Sequence, residues 1–343
     1  MMNNMATKEM HLVRWPLLNP DSGILPATTL CWAEIEKVEG ATDFSGLADA
    51  ISAARNIGRS VALRINAEPP AWATAPATAC AAFITALGKQ YDAEPALFSI
   101  DIVLPCPEDE LDDTALARLA DTYTAAFPST WKLLDIRNRR LAGFLKDRNG
   151  VGLLLDARQG TERIGEQIAE LGLGKLWRKA PVRMITKQLD EGLMREAVRW
   201  HVSSIDTAGG DDVPSLAGIG HRIEPRRISF STAVTPGQAA TLRVWIVNTG
   251  NAPAYTITHF NLRLCRPGCD DGQVSRIDFA AKTCLPGEDT VLEVPIQVGT
   301  LPGGEYDVHL GLFSDETGYP IVTGTDGRIS DGYYTSFLRV NIK

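Results

Sequence analysis

Leu97-Phe98-Ser99-Ile100-Asp101-Ile102-Val103-Leu104-Pro105-Cys106-Pro107-Glu108-Asp109-Glu110-Leu111-Asp112-Asp113 is the stretch on which the fold turns. Its first half is an apolar, β-branched run, the pattern of a strand buried on both faces. Pro105 and Pro107 end it, because proline cannot continue a central strand. Carboxylates follow at once: Glu108, Asp109, Glu110, Asp112 and Asp113. Parallel barrels place their chemistry where strands open into loops at the C-terminal rim, which makes Glu108 and Glu110 candidates. Asp112 and Asp113 read instead as the acidic first turn of the next helix.

The same rhythm extends on both sides. Strands are expected at 11–18, 28–35, 60–66, 97–103, 131–136, 151–155, 181–186 and 200–205. Helices are expected after Asp43, through 79–90, 113–127, 141–147, 161–171 and 191–198. Eight strands alternating with helices over roughly 200 residues indicate a small (β/α)8 TIM barrel, an α/β architecture. A doubly wound sheet is the competing arrangement, but no Gly-x-Gly-x-x-Gly turn supports it or a dinucleotide cofactor. Beyond Gly209-Gly210 the pattern changes to seven short alternating strands between Gly/Pro turns, which reads as an antiparallel immunoglobulin-like β-sandwich, all-β in class. The expected division is a barrel over 1–215 and a sandwich over 216–343.

Composition bounds the function. The chain has 343 residues, a net charge of −8, 44% hydrophobic and 22% charged residues. An acidic balance argues against nucleic acid or an anionic membrane surface as partner. No apolar run is long enough to span a bilayer, and the start lacks the apolar core of a signal peptide, so the chain is expected to be cytoplasmic as written or a mature form with a replaced start. Six cysteines are present. Cys31, Cys80 and Cys106 sit at apolar positions and read as buried thiols. Cys265 and Cys269 flank Arg-Pro-Gly, where a disulfide or free thiols both fit. No metal-ligand spacing stands out, Asp270-Asp271-Gly272 reads as a hairpin turn, and no Gly-x-Ser-x-Gly nucleophile elbow occurs. No cofactor is expected.

Several motifs, in order, carry a resemblance. Cys31-Trp32-Ala33-Glu34-Ile35-Glu36-Lys37-Val38-Glu39-Gly40 with Asp43-Phe44 resembles the W-x-x-I-E-P-x-E-G-x-Y-D-F run of β-galactosidase-like glycoside hydrolases. Val61 to Ile65 resembles their third strand, and Pro70-Ala71-Trp72 the P-x-W after it. The chain as a whole resembles a bacterial family, filed as a domain of unknown function, that pairs such a barrel with an immunoglobulin-like sandwich. Asn248-Thr249-Gly250-Asn251, Leu285-Pro286-Gly287-Glu288 and Leu301-Pro302-Gly303-Gly304 match the sandwich half. The resemblance implies a secreted or periplasmic setting and a saccharide ligand.

In that family the fourth strand runs into D-I-G-x-x-G-x-W-G-E-W, and the glutamate aligns with Glu110 as acid/base. The flanking Gly, Trp and Gly are absent here. The seventh strand ends in Thr186-Lys187 and brings no acid to the rim, while Trp200-His201-Val202-Ser203 matches an H-x-S pattern on the eighth. Glycoside hydrolysis needs two carboxyl groups flanking the scissile bond. The expected catalytic pair is therefore Glu110 with Asp156, which ends the sixth strand; Asp206, after the eighth, is the reserve. Asp156 paired to Arg137, Arg158 or Arg64 is the competing reading. Arg64, a charge in an apolar run, is expected to pair with an acid such as Glu36 or to bind ligand. Trp32 and Trp72 offer flat apolar faces for sugar stacking or for packing. His201 is expected either to touch ligand or to be a hydrogen-bonded core residue. Two functions follow: a glycoside hydrolase, or a glycosidase-derived barrel that binds glycan or serves assembly without cleaving.

Overall fold

The computed structural model describes residues 7–11, 27–56, 60–207, 218–256, 258–315, 318–321 and 331–343. The chain divides into two units, Pro20–Gly220 and Met1–Asn19 with His221–Lys343. Strand β1 (Thr7–His11) belongs to the second of these.

The first unit is built on seven parallel strands in sequential order. They are β2 (Ala27–Cys31), β3 (Val61–Asn66), β4 (Leu97–Ile102), β5 (Trp131–Asp135), β6 (Val151–Asp156), β7 (Val182–Thr186) and β8 (Ser204–Thr207). Helices alternate with them: α1 (Trp32–Ile35), α2 (Ser45–Asn56), α3 (Pro76–Tyr91), α4 (Asp113–Ala126), α5 (Arg139–Leu145), α6 (Ile164–Glu170) and α7 (Glu191–Arg199). Outward-facing strand residues such as Leu63, Ile65, Ile100 and Leu134 join the helices' apolar faces, including Leu47, Phe83, Leu116 and Tyr123, in one core.

Inward-facing residues show that the sheet curls. Arg183 on β7 is ion-paired with Asp101 on β4, and Arg64 on β3 with Asp206 on β8. Strands three apart would lie ~14 Å from one another in a flat sheet, and strands five apart ~24 Å. Direct contact between these side chains requires the curvature of a (β/α) barrel. The first expected strand, 11–18, lies outside the described residues except for His11, which pairs antiparallel with the second unit, so seven barrel strands are seen rather than eight.

The second unit contains two sheets. One has the order β1-β9-β11-β14, with β9 (Ile223–Ser231), β11 (Ala239–Asn248) and β14 (Asp289–Gln297), all antiparallel. The other joins β10 (Ala233–Val234), β17 (Tyr334–Ile342), β15 (Gly304–Ser314), β12 (Thr258–Cys265) and β13 (Gly272–Phe279), with β16 (Pro320–Ile321) on β15. Among the described strand pairs of this unit only the short β10–β17 pair is parallel. Strict alternation along β11 buries Leu242, Val244 and Ile246 and exposes Arg243 and Trp245. The buried set meets Phe260, Leu262, Val308 and Leu310 of the other sheet in one apolar cluster. All six cysteines are free thiols, including Cys265 and Cys269.

Candidate functional site

The C-terminal ends of β4, β5, β6 and β8 present four aspartates, and every one is held by arginine. Arg64 pairs with an acid as expected, but the acid is Asp206 and not Glu36. Asp101 pairs with Arg183. Asp135 and Asp156 share a local device. In each, the backbone N–H two residues on donates to the carboxylate, Arg137 N at 2.9 Å and Arg158 N at 3.1 Å. The same residue's guanidinium then folds back, with Arg137 Nε 2.9 Å from Asp135 Oδ1 and Arg158 Nε 2.8 Å from Asp156 Oδ1. Arg137 Nη1 also reaches Asp156 Oδ2 at 2.8 Å, so the two turns are joined. The sequence signal was a repeat, Leu-Leu-Asp-Ile-Arg at 133–137 and Leu-Leu-Asp-Ala-Arg at 154–158. Asp135, which sequence reasoning missed, was findable from it.

Protonation follows from these partners. Burial alone would raise the Asp156 carboxyl, but the hydrogen bonds from Arg158 and the charge of Arg137 outweigh it and hold the group below its ordinary value. Asp101 goes the other way. Burial pushes it up to about 6, against the pull of Arg183 and Arg64 and with help from Asp206.

The acidic loop after β4 is used mostly by the fold. Glu108 reaches across to α5, where its Oε1 accepts from Leu141 N at 2.7 Å and its Oε2 from Arg140 N at 3.1 Å. Free N–H groups at a helix start want such an acceptor. Arg140 returns hydrogen bonds to the Glu108 and Leu111 carbonyls at 2.9 and 2.8 Å. Asp112 caps α4 through Ala115 N at 2.7 Å. Glu110 stands exposed on the same 3-10 turn; its backbone N–H donates to the Pro107 carbonyl at 3.1 Å, and its carboxylate accepts no hydrogen bond from the described residues.

The aromatic candidates separate. Trp32 is fully buried, packed on Phe83 with ring centroids 5.5 Å apart and edge-on to Trp72, so it has no face for a sugar. Its Nε1 donates to Glu36 Oε2 at 2.7 Å, and Glu36 Oε1 accepts from Gly40 N at 2.8 Å. Trp72 is half-buried and donates from Nε1 to the Glu36 carbonyl at 2.7 Å. The Trp32…Glu36…Gly40 motif that resembles glycosidases is therefore a loop brace. Gly40 takes φ +74°, which explains why glycine stands there.

His201 is a correction. β8 starts at Ser204, not at Trp200, and α7 runs on to Arg199. His201 then ends that helix in a Schellman turn, with φ +53° and hydrogen bonds His201 N to Val198 O and Val202 N to Ala197 O. It stacks on Trp177 at the N-terminal end of β8, opposite the end where Asp206 lies. No glycine marked this helix stop, so the sequence read through it. Two hollows of about 870 and 380 Å³ lie on the outer face of α3 and α4 and at the N-terminal ends of β5 and β6, away from the rim. Among the described residues no cluster of three metal-ligating side chains forms, and no helix is long and apolar enough to cross a membrane.

No family model matches the chain, and no curated protein does. Solved structures give distant likenesses. Endo-glycoceramidase II from Rhodococcus sp., in a complex with a cellobiose-like imidazole, aligns at 11% identity over 80% of this chain and 89% of that one, with a TM-score of 0.42. A xylanase from Thermobacillus composti aligns at 12% identity over 55% and 84%, with a TM-score of 0.36. A beta-glucanase from Saccharophagus degradans aligns at 11% over 56% and 71%, with a TM-score of 0.37. Likeness at this level carries neither substrate nor chemistry to this chain.

Proposed function

We propose that the barrel is a glycosidase-type scaffold that binds a saccharide at its C-terminal rim without hydrolysing it, joined to an immunoglobulin-like sandwich. One observation carries the loss of hydrolysis: Asp101, Asp135, Asp156 and Asp206 are each paired with an arginine, and Asp101, the one raised carboxyl, is buried inside the barrel against Arg183. A general acid must hold a proton near neutral pH, and a nucleophile must be free to attack. Asp156, clamped between Arg137 and Arg158 and held ionised, meets neither need as an acid and is blocked as a nucleophile. The half-exposed guanidinium groups of Arg137 and Arg158 and the half-buried Trp72 remain as groups able to meet sugar hydroxyls and ring faces. The saccharide assignment itself leans on the sequence resemblance.

A second reading keeps hydrolysis. Glu110 is free of the hydrogen bonds that engage Glu108, which favours it as a general acid working with Asp156 as base or nucleophile. Reducing-sugar release across a glycan panel, run beside a glycan-binding array, separates the two. Binding without release supports the scaffold reading. Release that disappears in Glu110→Gln or Asp156→Asn supports the hydrolase.

A further inference from the structure

The barrel interior is divided. Leu133 on β5, Leu154 on β6 and Ile185 on β7 form an apolar wedge on one side. Side chains on a strand alternate between faces, so the residues two away from each cross-barrel contact also point inward. This puts Ala62 with Arg64 on β3, Ser99 with Asp101 on β4, and Ser204 with Asp206 on β8 on the other side. Three of these are small, and Arg183 enters among them from β7. Ala62, Ser99, Ser204 and Arg183 are all buried.

Four buried polar atoms on these inward faces have no hydrogen-bond partner: Arg183 Nε and Nη1, Arg64 Nε and Ser99 Oγ. Arg183 is 1% exposed and Ser99 0%. Three of the four are donors only, and the fourth is a hydroxyl that can donate. No carboxylate oxygen of Asp101 or Asp206 is among the buried unpartnered atoms. The groups gather around Asp101. Ser99 precedes Asp101 by two residues, Asp101 is held by Arg183, and Arg64 is near enough to act on the Asp101 charge. What they lack is an acceptor. A water molecule would bring two further O–H groups to place, whereas a halide accepts from several directions and donates to none.

We infer that a single small monoanion of the chloride class binds inside the barrel between Arg183, Arg64 and Ser99, and that a proton enters with it onto Asp101. Charge balance requires the proton. Two arginines and two aspartates already cancel, and an added anion in a buried site needs a compensating positive charge. The charged groups facing Asp101 are Arg183 from β7, Arg64 from β3 and Asp206 from β8, and the Tyr123 phenol of α4 lies close enough to feel it. Asp101 is the one that can change charge: guanidinium groups do not shed protons in proteins, and burial has already moved the Asp101 carboxyl to about 6. No bond to the anion forms or breaks; one proton from solvent and one anion bind together. The site is independent of whether the rim takes a saccharide.

The test uses the full chain crystallised at pH 5 in bromide, with melting temperatures taken in chloride and in an equal concentration of a bulky anion such as gluconate. The inference predicts an anomalous bromide peak within hydrogen-bond reach of Arg183 Nη1 and Ser99 Oγ. It also predicts an apparent chloride affinity that tightens about tenfold per pH unit from 8 down to 6 and then levels. Ser99→Val fills the place and removes the halide-dependent part of the melting temperature. Should that variant fail to fold, Ser99→Ala weakens chloride affinity by losing one donor. Ordered water alone at the four atoms, with equal melting temperatures in chloride and gluconate, overturns the inference. Halide binding with no pH dependence overturns the proton uptake.

Discussion

Replacing Asp101 by asparagine and, separately, Arg183 by methionine cuts the same buried ion pair from its two ends, and the two cuts differ in their pH dependence. Arg183 is essentially unexposed and cannot lose its proton, so Asp101→Asn strands a charge inside the barrel. Removing one partner of a buried pair costs about 3–5 kcal/mol. That deficit is constant from pH 6 to 8, because nothing left in the pair titrates there. Arg183→Met leaves a carboxyl that neutralises itself by taking a proton. The wild-type group already stands at about 6 with its partner present. Without the partner that downward pull is gone and its folded value rises further, while the unfolded value stays near the ordinary carboxylate range. A carboxyl raised on folding stabilises at low pH and loses that contribution as pH rises toward the folded value. Between pH 6 and 8 the variant therefore falls behind wild type by at most about 1.4 kcal/mol per unit, or about 2 kcal/mol in all once wild type's own loss near pH 6 is subtracted. Urea denaturation followed by near-UV circular dichroism at pH 6, 7 and 8 measures both. An Asp101→Asn protein as stable as wild type, or an Arg183→Met deficit flat across the three pH values, would refute the cross-barrel pair.

Wild-type stability carries a related term: as pH rises from about 4 to 6, deprotonation of Asp101 removes about 2 kcal/mol, readable as a falling urea midpoint that Asp101→Asn does not show. Glu108→Ala leaves the first N–H groups of α5 without their acceptor and costs about 1–2 kcal/mol in the same assay, whereas exposed Glu110→Gln stays within about 0.5 kcal/mol. Trp32→Phe keeps the ring packing but leaves Glu36 Oε2 buried without its donor, at about 1–3 kcal/mol; a silent substitution would show that the brace does not matter. Gly150→Ala meets both a φ of +72° and Lys132 Nζ at 2.8 Å from the new methyl, and lowers stability by about 1–3 kcal/mol.

Long periodic segments were legible from sequence. The helices at 79–90 and 113–127 are found at Pro76–Tyr91 and Asp113–Ala126, because their apolar faces repeat at the helical period and proline or Asp112 marks the start. The β-strands of the second unit fell out of strict alternation between turns. What failed was local chemistry that periodicity does not encode. The end of α7 is set by a left-handed His201, a conformation with no compositional mark. The pairing of Arg64 with Asp206 joins residues far apart in sequence, and only barrel curvature brings β3 to β8. Trp32 and Glu36 stand out in the sequence as part of one motif, but their mutual hydrogen bond makes them a brace and takes Trp32 away from any ligand.

The four strand-end aspartates of the barrel are each paired with an arginine, and the non-hydrolytic reading stands on that. The most direct measurement is product analysis by mass spectrometry after prolonged incubation of wild-type protein with a glycan that calorimetry shows it binds. The account predicts the glycan recovered intact, with binding weakened by Arg158→Ala. Cleaved glycan from wild type, and none from Asp156→Asn, would contradict it.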